Sequence, residues 1–467
     1  MKRTLTSLVL LLTALVLLTS ALTLPAAATE TAPYGTSGSA MIYCATADTL
    51  LWSKNDQQPV YPSGTVKIMT AVLALEHYEG RMKDTITVTA DHIRRATGNS
   101  IDLQVGETLT VEELIGALIV GGANDAAQTL ALDIAGSVDE FVRRMNEKAR
   151  ELGMTGTHYT NPSGLYDGAM VTTAADVLTI ARYAARINAY MDLAGLSIYR
   201  IEGSERCRAR TIQNRNLMLT TYNDRQYYFG LATGMNFGST PEGGDNLVVS
   251  ASKNGLTYIA VVLRGVREER IVTPAVDTLN DDGTITHKDA VTETVICAYE
   301  EARDLLEWAM RNYAYRTVLD ASEMICELPV TLGTSVDHVT LLPRTSVELY
   351  LPLDLDLTGA ISMRYTLEEE SLAAPVMSGT KVGTVYIGYQ GEVVSTTDLV
   401  TKNNVERSEW LYLLAQLRDA TKTTPFRIGA IAAILAVIAY VLGVAMWRQK
   451  RKDAAKRQYY RNNRVLR

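Results

Sequence analysis

Two residues near the start of the chain stand at a spacing that could support covalent chemistry. Ser63 precedes Lys67 by four residues, and residues four apart lie on the same face of a helix. A serine hydroxyl becomes a nucleophile when an adjacent base takes its proton. If a helix begins early enough to include Ser63, this pair could attack a carbonyl group.

The same residues also have structural interpretations. Serine is a favourable residue at the N-terminus of a helix, and we favour such a capping or spacer role for Ser63. Lys67 could be a structural cation bonded to Asn124 and to helix carbonyl groups. Asp125 would then cap or orient its helix, and Asn161 would shape a turn rather than react.

Four segments of the chain resemble those of a known family, in the same order. They are Pro62-Ser63-Gly64-Thr65-Val66-Lys67-Ile68-Met69-Thr70, Gly121-Gly122-Ala123-Asn124-Asp125-Ala126, Thr157-His158-Tyr159-Thr160-Asn161-Pro162-Ser163-Gly164-Leu165 and Gly230-Leu231-Ala232-Thr233-Gly234. They look like the low-molecular-weight penicillin-binding proteins, the serine D-alanyl-D-alanine carboxypeptidases of the peptidase S11 type. The resemblance covers about residues 36–312. Farther on, Ala374-Pro375-Val376 and Gly379-Thr380-Lys381-Val382-Gly383 resemble the C-terminal domain of that family.

The resemblance implies both a fold and a reaction. The fold is an α/β (α+β) domain like the serine β-lactamases and D,D-peptidases, with a central antiparallel sheet and flanking helices. A small all-β domain and one C-terminal transmembrane helix would follow. The reaction is removal of the terminal D-alanine from peptidoglycan stem peptides, carried out by the motifs S-x-x-K, S-x-N and K-T-G. No metal and no nucleotide or organic cofactor is implied.

The chain departs from the first two motifs at their serines. When the sequence is aligned on Lys67, the nucleophile position is occupied by Gly64. When it is aligned on Asn124, the position of the second serine is occupied by Gly122. Glycine has no hydroxyl, so no acyl-enzyme can form at residue 64. Removal of such a nucleophile lowers turnover about 10⁶-fold in a serine protease.

The third motif is altered as well. Aligned on Thr233 and Gly234, which would bind substrate, the carboxylate-binding lysine is replaced by Ala232. Loss of that charged hydrogen bond removes about 1.5–3 kcal/mol. Three independent changes at chemically essential positions favour an inactive homologue that binds or scaffolds in peptidoglycan remodelling. Its partners would be peptidoglycan stem peptides or wall-synthesis proteins.

Two other functions stay open at this point. One is an active D,D-carboxypeptidase that uses Ser63 as a substitute nucleophile. The other is a structural protein near the membrane, in which the cleft is vestigial and the β-module and an insertion at 271–292 make the contacts. Release of D-alanine would distinguish the first from an inactive homologue.

The segments that must position these motifs follow a mixed pattern. Helical periodicity occurs at 64–78, 111–131 (broken at Gly121 and Gly122), 138–152, 174–187 and 296–313. Strand patterns occur at 40–52, 208–212, 228–233, 246–252 and 257–264, whereas 271–292 reads as a polar, irregular insertion. Short alternating segments predict an all-β domain at 317–400. An amphipathic helix is expected at 405–417.

Two apolar segments predict export and a membrane anchor. Lys2 and Arg3, an apolar stretch and three alanines suggest a signal peptide at residues 1–28, with an uncleaved anchor as the alternative. Residues 428–447 are uncharged and long enough to cross a bilayer. Positive residues concentrate in the tail, 448–467, so the tail should be cytoplasmic and the preceding domains extracytoplasmic.

Charge excludes nucleic acid as a partner of the exported part. Of 45 basic and 52 acidic residues, 11 and 1 lie in the signal segment and the tail, which leaves 34 and 51, a formal charge of −17. Such a surface repels polyanions. The basic tail is better explained by topology and anionic lipid. Four cysteines (Cys44, Cys207, Cys297 and Cys326) would face an oxidising compartment, where any of three pairings is possible.

Overall fold

The computed structural model describes residues 32–33, 35–94, 96–222, 225–279 and 285–462. The chain divides into two compact units. The first runs to Ala314 and includes Tyr350–Leu355, and the second comprises Tyr315–Leu349 and the chain from Asp356 onward. The predicted signal segment, residues 1–28, lies outside the described residues.

The first unit combines strands and helices, which confirms the predicted α/β class. Its strands are β1 (Ser39–Cys44), β2 (Thr49–Lys54), β3 (Thr85–Thr87), β4 (Thr108–Thr110), β5 (Ile198–Ile201), β6 (Arg210–Gln213), β7 (Ala232–Thr240), β8 (Gly244–Lys253), β9 (Leu256–Gly265), β10 (Arg267–Thr273), β11 (Val276–Leu279), β12 (Ile285–Lys288) and β13 (Val291–Ile296). Its helices are α1 (Val66–His77), α2 (Ala90–Ile93), α3 (Val111–Ile119), α4 (Asn124–Ala135), α5 (Val138–Glu151), α6 (Ala174–Ala184), α7 (Asn188–Ala194) and α8 (Cys297–Asn312).

A five-stranded antiparallel sheet in the order β2-β1-β9-β8-β7 forms the centre of this unit. Side chains alternate between its faces, as the pleat of a strand requires. Met41 and Tyr43 join the core built with α1, α3 and α4, whereas Ile42 and Cys44 join the core built with α8. The sheet is therefore covered on both sides, and β7 is its edge strand.

Local sequence explains how α3 begins and how α4 ends. Thr110 and Glu113 form a reciprocal capping box at the start of α3, which satisfies amide groups that the helix leaves free. Helix α4 ends at Gly136, whose φ of +72° suits glycine. These caps define the outer ends of the two helices, whose inner ends flank the turn at Gly121 and Gly122.

The insertion predicted to be irregular is a β-structure instead. β10 pairs with β13 and β11 pairs with β12, both antiparallel. The prediction failed because the segment is polar, with exposed side chains at 271–275 and 287–292, so it has no apolar alternation to mark strands. The strand predicted at 228–233 is also displaced, since the observed strand β7 covers Ala232–Thr240.

The remaining strands build a separate all-β core. They are β14 (Tyr313–Leu319), β15 (Cys326–Thr331), β16 (His338–Pro343), β17 (Val347–Pro352), β18 (Ile361–Leu367), β19 (Leu372–Ala373), β20 (Lys381–Tyr389) and β21 (Glu392–Thr401), with the short helix α9 (Leu357–Ala360). Six of them form a sheet in the order β18-β20-β21-β16-β15-β19. Leu328, Leu341, Val385, Ile387 and Leu399 are among its buried residues.

Two helices end the described chain. α10 (Glu409–Lys422) exposes the side chains of Trp410, Leu413 and Leu417. α11 (Thr424–Asn462) contains a segment that is long and apolar enough to cross a membrane. An apolar helical surface of this length is typical of a bilayer span.

Candidate active site

A cavity of about 220 Å³ lies where α1, the beginning of α4 and the edge strand β7 come together. It brings together four residues predicted to be catalytic positions, Gly64, Lys67, Gly122 and Asn124. The other residues around it are Gly98, Asn99, Ser163, Gly164, Leu165, Arg215, Phe237, Gly238, Ser239, Thr240 and Pro241.

The nucleophile position is closed by backbone. A Cβ atom added to Gly64 would lie 2.7 Å from Cα of Gly238, and one added to Gly238 would lie 2.2 Å from Cα of Gly64. Separations below 3.0 Å are shorter than real Cβ contacts. The edge strand therefore occupies the space that a serine side chain at residue 64 would need.

The proposed substitute nucleophile, Ser63, is engaged elsewhere. Its side chain is buried, and its Oγ lies 3.0 Å from Oγ1 of Thr240. The N-cap of this helical turn is Pro62, with no side-chain capping bond, so Ser63 does not cap it; the alternative spacer role stays a prediction. Ser63 adopts a φ of +47°, a conformation that is uncommon for residues other than glycine.

Lys67 makes its hydrogen bond away from Ser63. Its Nζ donates to the carbonyl oxygen of Ser163 at 2.5 Å. That carbonyl belongs to a turn in which Oδ1 of Asn161 accepts from the Ser163 and Gly164 amides, at 3.2 and 2.8 Å. Burial, with a smaller contribution from the Arg215 guanidinium, lowers the pKa of Lys67 to about 7. Lys67 is thus partly neutral near neutral pH.

The second motif keeps its amide and lacks its hydroxyl. Asn124 begins α4, and its Nδ2 donates to the carbonyl of Thr97 at 2.6 Å. Its Oδ1 is buried and has no hydrogen-bond partner among the described residues. Gly122 has a φ of +62°, where a serine would be strained. The carbonyl of Gly122 accepts a 2.8 Å bond from Asn99, which fixes this turn.

The predicted substrate-binding residues Ala232, Thr233 and Gly234 do not line the cavity. They lie at the other end of β7, where a Cβ atom added to Gly234 would be 3.0 Å from the carbonyl carbon of Ala194. Gly238 lies four residues farther along β7 than Gly234, a separation of about 13 Å in a strand. There Gly238 meets Gly64.

The structure therefore places a different part of β7 at the cavity, namely Phe237 to Thr240. Two residues before Gly238 stands Asn236, which is buried and whose Oδ1 has no partner in the described chain. The glycine of the third motif can be aligned with Gly234 or with Gly238. The position expected to hold a lysine is then Ala232 or Asn236, and neither side chain is cationic. The hairpin turn after Thr240 is the signal that could have located this end, because residues beside it lie nearest the start of α1.

Arg215 is a cavity residue that the sequence analysis missed. Its Cγ would lie 3.4 Å from a Cβ atom added to Gly122. Its backbone is held by bonds from its amide to Val120 and from the Tyr299 hydroxyl to its carbonyl, at 3.0 and 2.9 Å. Among the described residues that line the cavity, Lys67 and Arg215 are cationic and none is acidic. The arrangement is suited to an anionic group.

Comparison with protein families gives two matches along the chain. A model described as D-alanyl-D-alanine carboxypeptidase, peptidase S11, matches residues 26–266. A model described as the C-terminal domain of penicillin-binding protein 5 matches residues 313–407.

Curated relatives span most of the chain at low identity. D-alanyl-D-alanine carboxypeptidase DacF of Bacillus subtilis is 24% identical over 383 residues, which cover 80% of this chain and 87% of the relative. D-alanyl-D-alanine carboxypeptidase DacA of Haemophilus influenzae is 26% identical, with 82% and 90% covered.

Solved structures agree in fold. Penicillin binding protein 5 from Haemophilus influenzae has a TM-score of 0.53 at 23% identity, covering 81% of this chain and 99% of that one. A peptidoglycan synthesis regulatory factor (PBP3) from Streptococcus pneumoniae has a TM-score of 0.55 at 21% identity, covering 80% and 100%.

Proposed function

Because the chain belongs to the D-alanyl-D-alanine carboxypeptidase family, whose members act on peptidoglycan stem peptides, we propose that it binds such peptides without cleaving them. The observation that carries this proposal is the contact between Gly64 and Gly238. The nucleophile position lacks a hydroxyl and also lacks the room for one. The packing of the site therefore disfavours a nucleophilic side chain at residue 64, in addition to its absence from the sequence.

The cavity retains groups that can hold a peptide terminus. Arg215 and the partly charged Lys67 supply positive charge for a terminal carboxylate, and charge-assisted bonds of this kind are the stronger class. The unpartnered Oδ1 of Asn124 can accept a peptide N–H. An unpaired buried acceptor costs about 1–3 kcal/mol, so a ligand that donates a hydrogen bond to it would gain binding energy. This favours a binding function over a vestigial cleft.

The proposed location follows from the apolar segments. Residues 1–28 would export the chain, and 428–447 within α11 would span the membrane. The tail, 448–467, would stay in the cytoplasm. The domains proposed at 36–312 and 317–400, with the helix predicted at 405–417, would then face the cell wall, where stem peptides and wall-synthesis proteins are found.

Covalent labelling tests the absence of a nucleophile. The purified full chain in detergent is incubated with a fluorescent penicillin beside an active family member, and D-alanine release from Nα,Nε-diacetyl-L-Lys-D-Ala-D-Ala is followed. We expect neither label nor release from this chain. A labelled chain would contradict the proposal, and loss of the label in Ser63→Ala would identify that residue as the nucleophile.

Calorimetry with the same peptide tests binding. Replacement of Arg215 by glutamine should weaken binding about 10- to 100-fold, the equivalent of one charged hydrogen bond. The exposed Arg208, which does not line the cavity, supplies the control Arg208→Gln. If the native chain does not bind the peptide at all, the cleft is vestigial and the binding function is wrong.

A further inference from the structure

Two tyrosines form a pair beside a loop that lines the cavity. The ring centroids of Tyr61 and Tyr166 are 5.1 Å apart, with the planes tilted by 52°. Tyr166 follows the cavity residue Leu165 directly, and 58% of it is exposed. An aromatic face that is both exposed and continuous with a binding cavity is available to a ligand that extends from that cavity.

The pair is held from two sides. The hydroxyl of Tyr61 donates to the carbonyl of Gly164 at 3.2 Å, which ties it to the loop that carries Tyr166. On the other side, a Cβ atom added to Gly243 would be 2.8 Å from Cδ1 of Tyr61, so the hairpin turn after β7 packs on the ring. Both segments that line the cavity thus continue into this tyrosine pair.

The surroundings of the pair are acidic. Burial raises the pKa of Tyr61 above its ordinary value; a hydrogen bond with the Asp167 backbone lowers it, and the negative charges of Asp167 and Glu242 raise it. Oδ1 of Asp167 accepts a 2.9 Å bond from the Ala169 amide. In the described part of the chain, no hydrogen bond or ion pair engages the carboxylate of Glu242. The polarity is therefore opposite to that of the cavity, where Lys67 and Arg215 lie.

From this arrangement we infer a second subsite, made by Tyr61, Tyr166, Asp167 and Glu242, that binds the primary ammonium group of a diamino acid upstream of the peptide's C-terminal carboxylate. The inference rests on the proposed function, since the carboxylate must occupy the cavity. Tyrosine rings attract cations through their faces, and the two carboxylates supply counter-charge. A neutral sugar could stack on the rings but would leave both carboxylates without a counter-ion.

The test compares two peptides that differ only in that charge. Nα-acetyl-L-Lys-D-Ala-D-Ala carries a free side-chain ammonium, whereas the Nα,Nε-diacetyl peptide does not. Binding of each to the full chain in detergent is measured by calorimetry. We expect the ammonium peptide to bind about three- to tenfold more tightly.

Variants locate the source of the preference. Tyr166→Leu and Glu242→Gln should each reduce it to less than about twofold, whereas Tyr166→Phe, which keeps the ring, should retain it. Unchanged thermal unfolding of each variant shows that the fold is intact, as expected for exposed side chains. Added salt should also reduce the preference, because the carboxylates are exposed to solvent.

Each other outcome overturns the inference in a distinct way. If both peptides bind the native chain equally, the subsite is wrong while the proposed function stands. If the preference survives in Tyr166→Leu and Glu242→Gln, its source lies elsewhere on the chain. If neither peptide binds, the proposed function itself fails, and the subsite fails with it.

Discussion

At the scale of single residues, the candidate active site has lost space as well as reactive groups. The sequence shows that residue 64 is glycine. The structure shows that Gly238 lies so close to it that a side chain at residue 64 would clash. Restoring the hydroxyl alone would therefore disturb the edge strand before it created a nucleophile. This consequence can be measured directly.

We predict that Gly64→Ala and Gly64→Ser each lower stability by about 1–3 kcal/mol, because both insert atoms into a closed contact. The measurement is thermal unfolding of the purified chain, with Gly168→Ala as the control. Its added Cβ would meet nothing closer than 3.9 Å. Gly64→Ser should also stay unlabelled by fluorescent penicillin. Native-like stability together with labelling would show that the contact opens easily.

Lys67 gives a prediction about pH. Its pKa is lowered from 10.5 to about 7, so the unfolded chain binds more protons than the folded chain between these values. Stability from this residue therefore rises with pH across that window, by at most about 1.4 kcal/mol per pH unit. The stability of the native chain relative to Lys67→Met should rise between pH 7 and 9.

The control for this experiment is the exposed lysine variant Lys253→Met, which should show no such change relative to the native chain. Denaturant unfolding at pH 7 and pH 9 measures all three proteins. An equal pH dependence in the native chain and Lys67→Met would mean that Lys67 is not desolvated in the folded protein.

Sequence alone identified part of this site for a clear reason. Lys67 and Asn124 stand inside motifs whose spacing fixes them on a helix and at a helix start, and the structure brings both to the cavity. Arg215 lies in no such motif, and only tertiary packing places it there. The third motif was assigned to Thr233 and Gly234 because their residue types match it. Which residues of β7 reach the cavity depends on the register of the strand, which the sequence does not give.

At the scale of elements, a buried ion pair fastens the edge of the two-stranded sheet beside the site. Nη2 of Arg210, on β6, lies 2.7 Å from Oε2 of Glu107, and both side chains are about nine-tenths buried. Burial raises the pKa of Glu107, but bonds from Arg210 and from the Gln104 and Arg208 amides leave it below its ordinary value. The pair thus holds β6 against the loop before β4.

Removal of one partner should be costly. Arg210→Met leaves the Glu107 carboxylate buried without its counter-charge, which we expect to destabilise the chain by about 3–5 kcal/mol. In the double variant Glu107→Gln/Arg210→Met, part of that loss should be recovered. Denaturant unfolding gives both values, and a loss in Arg210→Met below about 1 kcal/mol would show that the pair is unimportant for stability.

The elements themselves were predictable where apolar periodicity was strong. The helices over 138–152 and 174–187 and the apolar strand at 257–264 correspond closely to α5, α6 and β9. The paired strands from β10 to β13 were not predictable, since the segment is polar and its sequence has no apolar alternation. The start of α10 was placed four residues early, because the apolar Val405 was counted with the helix, whereas it forms a β-bridge with Val376 and Ser408 caps the helix.

At the scale of the whole molecule, the four cysteines share one oxidation state, the free thiol. All four are free; Cys44, Cys207 and Cys297 are buried, and Cys326 is half-buried. Burial raises the pKa of each thiol, which lowers its reactivity. None of the three possible pairings is present in this structure.

We predict four titratable thiols in the denatured chain without reductant, and the same electrophoretic mobility with and without reductant. In the folded chain, Cys326 should react first with a maleimide, because it is the most accessible of the four. Peptide mapping after brief labelling identifies the reacted residue. Fewer than four thiols in the unreduced, denatured chain would mean that a disulfide forms.

The contact between Gly64 and Gly238 also bears on what it would take to introduce catalysis into this chain. A mutation that placed serine at residue 64 is expected to weaken the fold, while residues 122 and 232 would still lack the serine and lysine of the other two motifs. While Gly238 stays in contact with Gly64, a nucleophile at residue 64 would require a shift of β7 as well as a change of side chain.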